Sequence, residues 1–305
     1  MIERSPLFNF VTYAAMTLGL LVVLVPFWIV IVAGSQSLQE VSRVPIVLWP
    51  SSHLWDNIQI AWARADLGPK MINSLIVAVG VTVGKIVLAS LSAFAIVFFN
   101  FKARMVCFWL IFITLMLPLE VRIVPTYAIA SNALLPFQVI LDTLGITWLV
   151  EAVSSVRIGL EWNLLNSYTG LILPLVATAT GTFLYRQFFM TIPDELVEAS
   201  KMDGSGPVRF FFDVLLPLSR TNMLALATIM FVSSWNQYLW PLLITTDRAN
   251  YGTVVMQLKA LIPAQNGTPD WNVTMAGALI IMLPPLLIVA FMQRWFVRGL
   301  ITKDK

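Results

Sequence analysis

The stretch between residues 191 and 220, TIPDELVEASKMDGSGPVRFFFDVLLPLSR, separates two apolar segments and has the pattern of two short helices. Thr191 and Asp194 have the T-x-x-D spacing of a capping box. Pro193 suits the first turn of a helix, where its missing N–H leaves no partner unsatisfied. The first helix is therefore predicted to begin near Pro193 and to stop at the turn that Gly204 favours.

The second half of this stretch predicts another short helix. Ser205 and Pro207 can open it, it includes the three phenylalanines 210–212, and Leu216-Pro217 ends it. Together the two halves predict a helix–turn–helix that exposes phenylalanines and a carboxylate. From these residues alone, an amphipathic pair lying on lipid headgroups is an equally open interpretation.

Around this stretch the chain is very apolar. Of its 305 residues, 58% are hydrophobic and only 11% are charged, whereas soluble globular domains carry about 25% charged residues. One soluble core could not bury this much apolar surface. The composition therefore predicts an integral membrane protein that has the lipid bilayer as its main partner.

Six segments are long enough to span a bilayer, which takes about 20 mainly apolar residues. The first is too long for the apolar region of a signal peptide and has no small-x-small cleavage site after it, so it is predicted to be retained. All six belong to one predicted membrane domain, residues 1–305. The predicted spans are 7–33, 71–99, 105–128, 168–189, 223–244 and 273–297.

The basic residues predict the orientation of these spans. Most of the 19 Lys and Arg residues fall on the side that holds both termini and the stretch 191–220. Because the side richer in Lys and Arg is normally the cytoplasm, both termini are predicted to be cytoplasmic. The fold class predicted is an all-α membrane protein with six transmembrane helices. The net charge of +3 is small and does not favour nucleic acid as a partner.

Neither disulfide nor metal chemistry is expected. Cys107 is the only cysteine and His53 the only histidine, which excludes an internal disulfide and a His/Cys metal cluster. The run Gly80-x-x-x-Gly84-Lys85 is one residue too short for a phosphate-binding G-x-x-x-x-G-K loop and is not followed by Ser or Thr. These glycines instead predict a close contact between two helices.

The spacing inside the stretch 191–220 resembles a known motif. The run EASKMDGSGPVRFFFDVLLP at 198–217 is similar to the EAA loop of permease subunits of binding-protein-dependent ABC importers. It departs at Ser200, where the motif has a second alanine, and at Val214, where it has isoleucine. The run WNQYLWPL at 235–242 is similar to the fifth helix of permeases of the carbohydrate-uptake family.

Other runs resemble one branch of this family, the E-type permease subunits of sn-glycerol-3-phosphate importers. This resemblance extends over nearly the whole chain and implies the type I ABC importer permease fold and import of sn-glycerol-3-phosphate. A permease for a neutral sugar or oligosaccharide is the alternative. The runs are LSAFAIV at 91–97, FITLMLP at 112–118, EVRI at 120–123, FLYRQFFM at 183–190, DELVEA at 194–199 and QRWFVRGL at 293–300.

The resemblance also implies how the chain is driven. Residues 191–220 would seat as a coupling helix in a cleft of a partner ATPase, where Glu198 would face a basic residue and Gly204 would allow the turn. Closure of the ATPase dimer on ATP and Mg would then move the spans as rigid bodies in alternating access. The coupling residues implied are Glu198, Ala199, Ser200, Asp203, Gly204, Leu216 and Pro217.

The partners implied are those of such an importer. They are a second permease subunit in a heterodimer, two copies of an ATP-binding subunit, and a periplasmic or lipid-anchored binding protein. This chain would bind no cofactor of its own, because the partner ATPase uses the ATP and Mg. The location implied is the bacterial inner membrane.

One region, the outer loop 129–167, departs from the family because it is longer than usual. Its apolar residues have helical spacing, which favours an interfacial helix. Contact with the binding protein and a position on the membrane are both open. The apolar residues are Ile140, Leu141, Leu144, Trp148, Leu149, Val153 and Val156.

Three ionisable residues, Lys85, Glu120 and Arg122, lie within predicted spans. A charge at the bilayer centre costs roughly 2.5–3.5 kcal/mol on insertion scales, so it normally faces the bundle interior. One interpretation is a Lys85–Glu120 ion pair that holds two spans together, with Arg122 reaching outward. The other is that Arg122, with Lys85, lines the translocation path and attracts a phosphate, because guanidinium groups match phosphate oxygens.

The run 235–242 supplies further candidates. Trp235, Tyr238 and Trp240 near the outer end of a span favour an interface belt, and a stack on the ligand is the alternative. Asn236 and Tyr238 complete the predicted substrate path with Lys85, Glu120 and Arg122.

Two other classes of protein fit less well. A stand-alone secondary transporter would also be apolar, but it would not need the spacing of 198–217. An intramembrane enzyme would need a catalytic set within the spans, and no Asp lies there while His53 lies in a loop.

Overall fold

The computed structural model describes residues 6–154, 159–262 and 269–301. Val156 of the predicted outer helix lies outside these residues. Every regular element in the described part of the chain is helical, so the prediction of an all-α protein is confirmed.

The helices of the first half follow the predicted apolar segments. Predicted span 105–128 contains a break, because Pro118 restricts the preceding Leu117 to extended backbone (φ −63°, ψ 129°). The helices are α1 (Pro6–Ser35), α2 (Leu38–Val41), α3 (Leu54–Arg64), α4 (Leu67–Phe98), α5 (Arg104–Met116), α6 (Leu119–Ser131), α7 (Leu135–Thr143) and α8 (Ile146–Ser154).

The second half contains more and shorter helices. A 3₁₀ turn (Leu173–Leu175) follows α9, and a π-helical turn (Phe211–Leu215) joins α12 to α13. The helices are α9 (Tyr168–Ile172), α10 (Ala179–Phe189), α11 (Asp194–Met202), α12 (Pro207–Phe210), α13 (Leu216–Leu218), α14 (Arg220–Trp235), α15 (Leu239–Ile244), α16 (Arg248–Tyr251), α17 (Val254–Ala260) and α18 (Trp271–Ile301).

Among the described residues, three helices are long and apolar enough to cross a membrane, namely α1, α4 and the part Trp271–Gln293 of α18. Three bent pairs of helices also qualify if each pair counts as one span, so length and composition allow up to six. The bent pairs are Glu120–Ser131 with Leu135–Thr143, Tyr168–Leu175 with Ala179–Phe189, and Pro207–Leu218 with Arg220–Trp235. The bounds of the six spans stay predictions.

The chain forms two compact units. The first comprises Met1–Met71 and Met256–Pro284. In it, a buried Asn57 amide donates to the carbonyl oxygens of Gly34 (2.9 Å) and Gln36 (2.8 Å) at the end of α1, and Asn272 donates to Asn57 Oδ1 (2.9 Å). These bonds satisfy carbonyls that the end of a helix leaves without an intrahelical partner.

The second unit comprises Ile72–Val255 and Pro285–Lys305. It contains two buried clusters of side chains. The first cluster is aromatic and includes Phe94, Tyr185, Phe189, Phe210 and Phe211. The second surrounds Trp240 and includes Val77, Val81, Ala130, Leu164, Leu171, Leu175 and Ile244.

Candidate functional site

The first half of the predicted coupling loop is a helix, α11, that presents Glu198 and Ala199 to the surface. Ser200 faces the other way and is buried, with 8% of its surface exposed. Because the side chain of Ser200 lies beneath the helix, this position of the motif requires a small residue. Glu198 is free to meet a partner.

The turn after α11 is the one that the sequence predicted. Gly204 has φ +73°, in the left-handed region that glycine adopts without strain. Its N–H donates to Lys201 O (3.0 Å), and the N–H of Ser205 donates to Ser200 O (3.0 Å). This pattern is a Schellman motif, with Asp203 as the C-cap residue.

The predicted capping box before α11 is wrong. Pro193 is the N-cap residue, with no side-chain bond. The hydroxyl of Thr191 instead donates to Phe188 O (2.7 Å). That carbonyl belongs to the last turn of α10. Local hydroxyl bonds of this kind compete with capping.

The second half of the loop also differs in detail from the prediction. Gly206, rather than Ser205, is the N-cap residue of α12. The helix does not end at Leu216-Pro217 but continues through α13, and the direction changes at Ser219, with a 75° bend between Pro207–Leu218 and Arg220–Trp235. Pro217 comes two residues after the π-helical turn Phe211–Leu215.

Phenylalanine rings join this loop to two other helices. Phe211 lies 5.0 Å from Phe94 of α4, between ring centroids, and Phe210 lies 5.4 Å from Phe98. Phe98 also contacts Phe189 of α10 at 5.9 Å. This cluster was not predicted from the sequence, although the i, i+4 spacing of Phe94 and Phe98 indicates a shared helix face. These rings pack the loop against α4 and α10.

The charges within the predicted spans are arranged differently from a simple ion pair. Lys85 and Glu120 do not form an ion pair among the described residues, so that interpretation is wrong. Glu120 is exposed, and Lys85 is half-buried with the charge of Arg122 acting on it. The Nε of Arg122 is buried without a hydrogen-bond partner. Two cations thus lie near one another.

The tryptophans of the run 235–242 form neither an interface belt nor a stacking surface for a ligand. Trp235 is 2% exposed and Trp240 is 0% exposed. The Nε1–H of Trp240 donates to Gly170 O (3.1 Å), which fixes α15 against α9. Asn236 is exposed, and Tyr238 is half-buried.

The helix that carries Arg122 packs near this run. α6 contacts α15, and Ile123 packs against the cluster around Trp240. The structure therefore places Arg122 and Tyr238 on neighbouring elements. The tertiary contact between α6 and α15 could not be deduced from the sequence.

The two glycines of the shortened phosphate-loop pattern make close helix contacts, as predicted. A Cβ on Gly80 would lie 2.6 Å from Ile172 Cδ1. One on Gly84 would overlap Val176 Cγ1. Both neighbours belong to the region of α9 and the 3₁₀ turn, so glycine lets α4 approach it closely.

Asn73 of α4 is a buried polar residue whose role was not predicted from the sequence. Asn73 donates to the carbonyl oxygens of Asn250 (2.7 Å) and Gly252 (3.0 Å), and accepts from the hydroxyl of Tyr168 (2.7 Å). An asparagine within a predicted span indicates such a role, because an amide in an apolar environment needs partners. Asn73 therefore joins α4 to α9 and to the segment 250–252.

The long outer loop contains two helices rather than one. α7 and α8 are separated by Gly145, which has φ +71°. Left-handed backbone ends a helix, so the single predicted interfacial helix is divided at this glycine. The apolar residues expected on its surface are largely exposed, among them Ile140, Trp148 and Val153.

Comparison with known proteins identifies the family. The model of the family "binding-protein-dependent transport system inner membrane component" matches residues 85–302. The chain belongs to this family. It is thus a membrane-spanning permease of a transport system, and the family's description places its members in the inner membrane and makes their transport depend on a binding protein.

Relatives of this permease match along its full length. The sn-glycerol-3-phosphate transport system permease protein UgpE of Pectobacterium atrosepticum is 46% identical, over 100% of both chains. The protein of the same name from Yersinia enterocolitica is 43% identical, over 100% of both chains.

A solved structure confirms the permease fold. A chain of a bacterial ABC transporter involved in the import of the acidic polysaccharide alginate matches with a TM-score of 0.69. The match covers 97% of this chain and 99% of the other, at 18% sequence identity. The fold is therefore that of an ABC importer permease.

Proposed function

We propose that this permease carries sn-glycerol-3-phosphate inward across the bacterial inner membrane, by alternating access coupled to a partner ATPase. The observation that carries the proposal is the 46% identity, over 100% of both chains, to a permease named for sn-glycerol-3-phosphate transport.

The charges of the predicted substrate path support a phosphate-bearing substrate. Arg122 has a buried Nε with no hydrogen-bond partner, and Lys85 lies within its electrostatic reach. Unpaired cations inside a membrane protein are costly unless an anion meets them. We assign phosphate attraction to Arg122 and Lys85, with Glu120, Asn236 and Tyr238 as further residues along the path.

The coupling loop supports an ATPase partner. Glu198 and Ala199 are exposed on α11, while the phenylalanines beneath the loop contact α4 and α10. In this proposal the exposed side of the loop (Glu198, Ala199, Asp203 and Gly204) seats on the ATPase, and Ser200, Leu216 and Pro217 maintain its shape. Closure of the ATPase dimer then moves α4 and α10.

The assembly proposed is a heterodimer of this chain with a second permease, two ATP-binding subunits and an external binding protein. ATP and Mg are used by the ATP-binding subunits. All of residues 1–305 form the permease domain, and both termini face the cytoplasm. This orientation puts the coupling loop on the side where ATP is available.

ATP hydrolysis by the complete complex tests this function. The complex would be reconstituted in lipid with its binding protein, and sn-glycerol-3-phosphate would be compared with a panel of neutral sugars. Stimulation by sn-glycerol-3-phosphate alone is expected. Stimulation by a neutral sugar would replace the proposed substrate but keep the importer, and failure of any ATPase to co-purify would contradict the coupling role of residues 191–220.

A further inference from the structure

The outer loop presents an apolar surface on its two helices. On α8, Trp148 is 69% exposed and Val153 is 86% exposed. Large apolar side chains are exposed along both helices. They are Leu135, Phe137, Val139 and Ile140 on α7, Leu144 after it, and Ile146, Trp148, Leu149 and Val153 on α8. An exposed apolar surface of this size on one hairpin indicates a site of contact with another apolar surface.

Several polar side chains of this hairpin form hydrogen bonds within it. Asp142 accepts from Gln138 Nε2 (3.0 Å) and from the Thr147 hydroxyl (2.7 Å). The hydroxyls of Thr143 and Ser154 donate to carbonyls of their own helices, at 2.7 Å each. The hydroxyls of Thr143, Thr147 and Ser154 therefore have acceptors within the hairpin, which lowers the cost of contact with hydrocarbon.

The chain leaving the hairpin is also tied down. Asn132 donates to Leu160 O (3.1 Å) and accepts from the N–H of Trp162 (3.1 Å). Gln138 accepts from the N–H of Leu160 (2.9 Å). The hairpin is therefore held at its base to the end of α6, and its exposed face is held in one place.

The geometry favours a position along the membrane surface. α6 and α7 together are as apolar as a spanning helix, but they are bent by 75°. Two helices at this angle cannot both run along the membrane normal. α7 and α8 have 9 residues each, whereas a spanning helix needs about 20. Neither can cross the bilayer on its own.

We propose that α7 and α8 form a helical hairpin that lies in the boundary between lipid headgroups and hydrocarbon, with its apolar face in contact with lipid. The face is continuous in sequence with α6, whose Val121 and Val124 are exposed as well. Trp148 has the amphipathic ring that favours this depth. No Lys or Arg lies between residues 132 and 154, so the attraction is apolar and does not depend on anionic lipid.

Depth measurements on the complete complex test the hairpin. Cys107 is the only cysteine, so Cys107→Ser provides a background for single labels. A polarity-sensitive fluorophore would be attached through Val153→Cys or, as the matched control, through Glu151→Cys. These two positions are 200° apart around α8 in an ideal helix of about 100° per residue. Complexes would be placed in phosphatidylcholine nanodiscs, with and without phosphatidylglycerol.

The label at 153 is expected to be quenched several-fold more by brominated lipid than the label at 151, and to be protected from iodide. Adding phosphatidylglycerol should change neither result. Equal iodide quenching at the two positions would overturn the proposal. Protection at 153 that appears only when the binding protein is added would overturn it as well, by assigning the face to that protein. Because no step requires transport, this outcome is independent of the proposed function.

Discussion

The ring centroids of Phe94 in α4 and Phe211 in the coupling loop lie 5.0 Å apart, with their planes tilted by 46°. Both side chains are buried. The contact joins a loop that is proposed to touch the ATPase to a helix that is proposed to cross the membrane. In the proposed function, this contact transmits movement of the loop to α4.

Replacing Phe211 with alanine should weaken this connection. Loss of a buried phenylalanine costs about 3–5 kcal/mol, so we expect a lower melting temperature of the purified permease complex. Uptake should fall more than ATP hydrolysis, because the loop would move without carrying α4. Phe212→Ala is the matched control, since Phe212 is 58% exposed and should leave the melting temperature nearly unchanged.

A double-mutant cycle separates the ring contact from general damage. Phe94→Ala, Phe211→Ala and the double variant would be compared by thermal unfolding. An aromatic pair contributes about 0.5–1.5 kcal/mol beyond its burial, so the double variant should lose less than the sum of the single losses. Strictly additive losses would show that the two rings do not act together.

Gly204→Ala tests the turn of the coupling loop. No atom lies within 4 Å of a Cβ placed on Gly204, so the cost is purely the left-handed backbone at φ +73°. That cost is about 1–2 kcal/mol for alanine. We expect substrate-stimulated ATP hydrolysis to fall, and Gly204→Asn to restore part of it, because asparagine tolerates this conformation.

The same loop provides the control for this variant. A Cβ placed on Gly206 would also have no neighbour within 4 Å, but the φ of Gly206 is −73°, which any residue adopts. Because Gly206 is the N-cap residue of α12, the control is Gly206→Ser, which keeps a favoured N-cap residue and should behave like the wild type. An equal loss of activity in both variants would contradict the role assigned to the Gly204 turn.

Glu198→Gln tests the contact with the ATPase. A charge-assisted contact at a protein interface is typically worth more than 1.4 kcal/mol, which corresponds to a factor of ten in binding. We expect at least a tenfold weaker association of the ATP-binding subunit, measured by titration of the permease in nanodiscs. Glu195→Gln is the control, because Glu195 is exposed on the same helix and lies outside the coupling set. Similar weakening by both variants would argue against a specific role of Glu198.

Arg122→Gln tests the substrate path. A hydrogen bond to a charged group contributes about 1.5–3 kcal/mol, so uptake of sn-glycerol-3-phosphate at saturating binding protein should fall about tenfold or more. Arg122→Lys keeps the charge and should retain more activity. Unchanged rate and apparent affinity in the glutamine variant would remove Arg122 from the path.

Local rules predicted much of the coupling loop correctly. Glycine at 204, with Asp203 before it, is sufficient to predict the end of α11. The close contacts of Gly80 and Gly84 also follow from residue size alone. The capping box failed because Thr191 has two possible partners, and the sequence does not show which of them the fold brings nearer.

The same local rules could not predict the tertiary contacts. Trp235 and Trp240 lie near the end of an apolar segment, where tryptophan commonly faces the membrane interface. The packing of α15 against α6 and α9 buries Trp240 instead. For the same reason, the absence of a Lys85–Glu120 pair and the proximity of Lys85 to Arg122 became apparent only from the structure.

Uptake into proteoliposomes tests the central claim most directly. The complete complex would be reconstituted with ATP and Mg enclosed on the side of the coupling loop, and with binding protein and radiolabelled sn-glycerol-3-phosphate on the other side. We predict accumulation of sn-glycerol-3-phosphate that requires ATP and is not reduced by an excess of neutral sugars. Accumulation without ATP, or transport of a neutral sugar in its place, would contradict the proposed function.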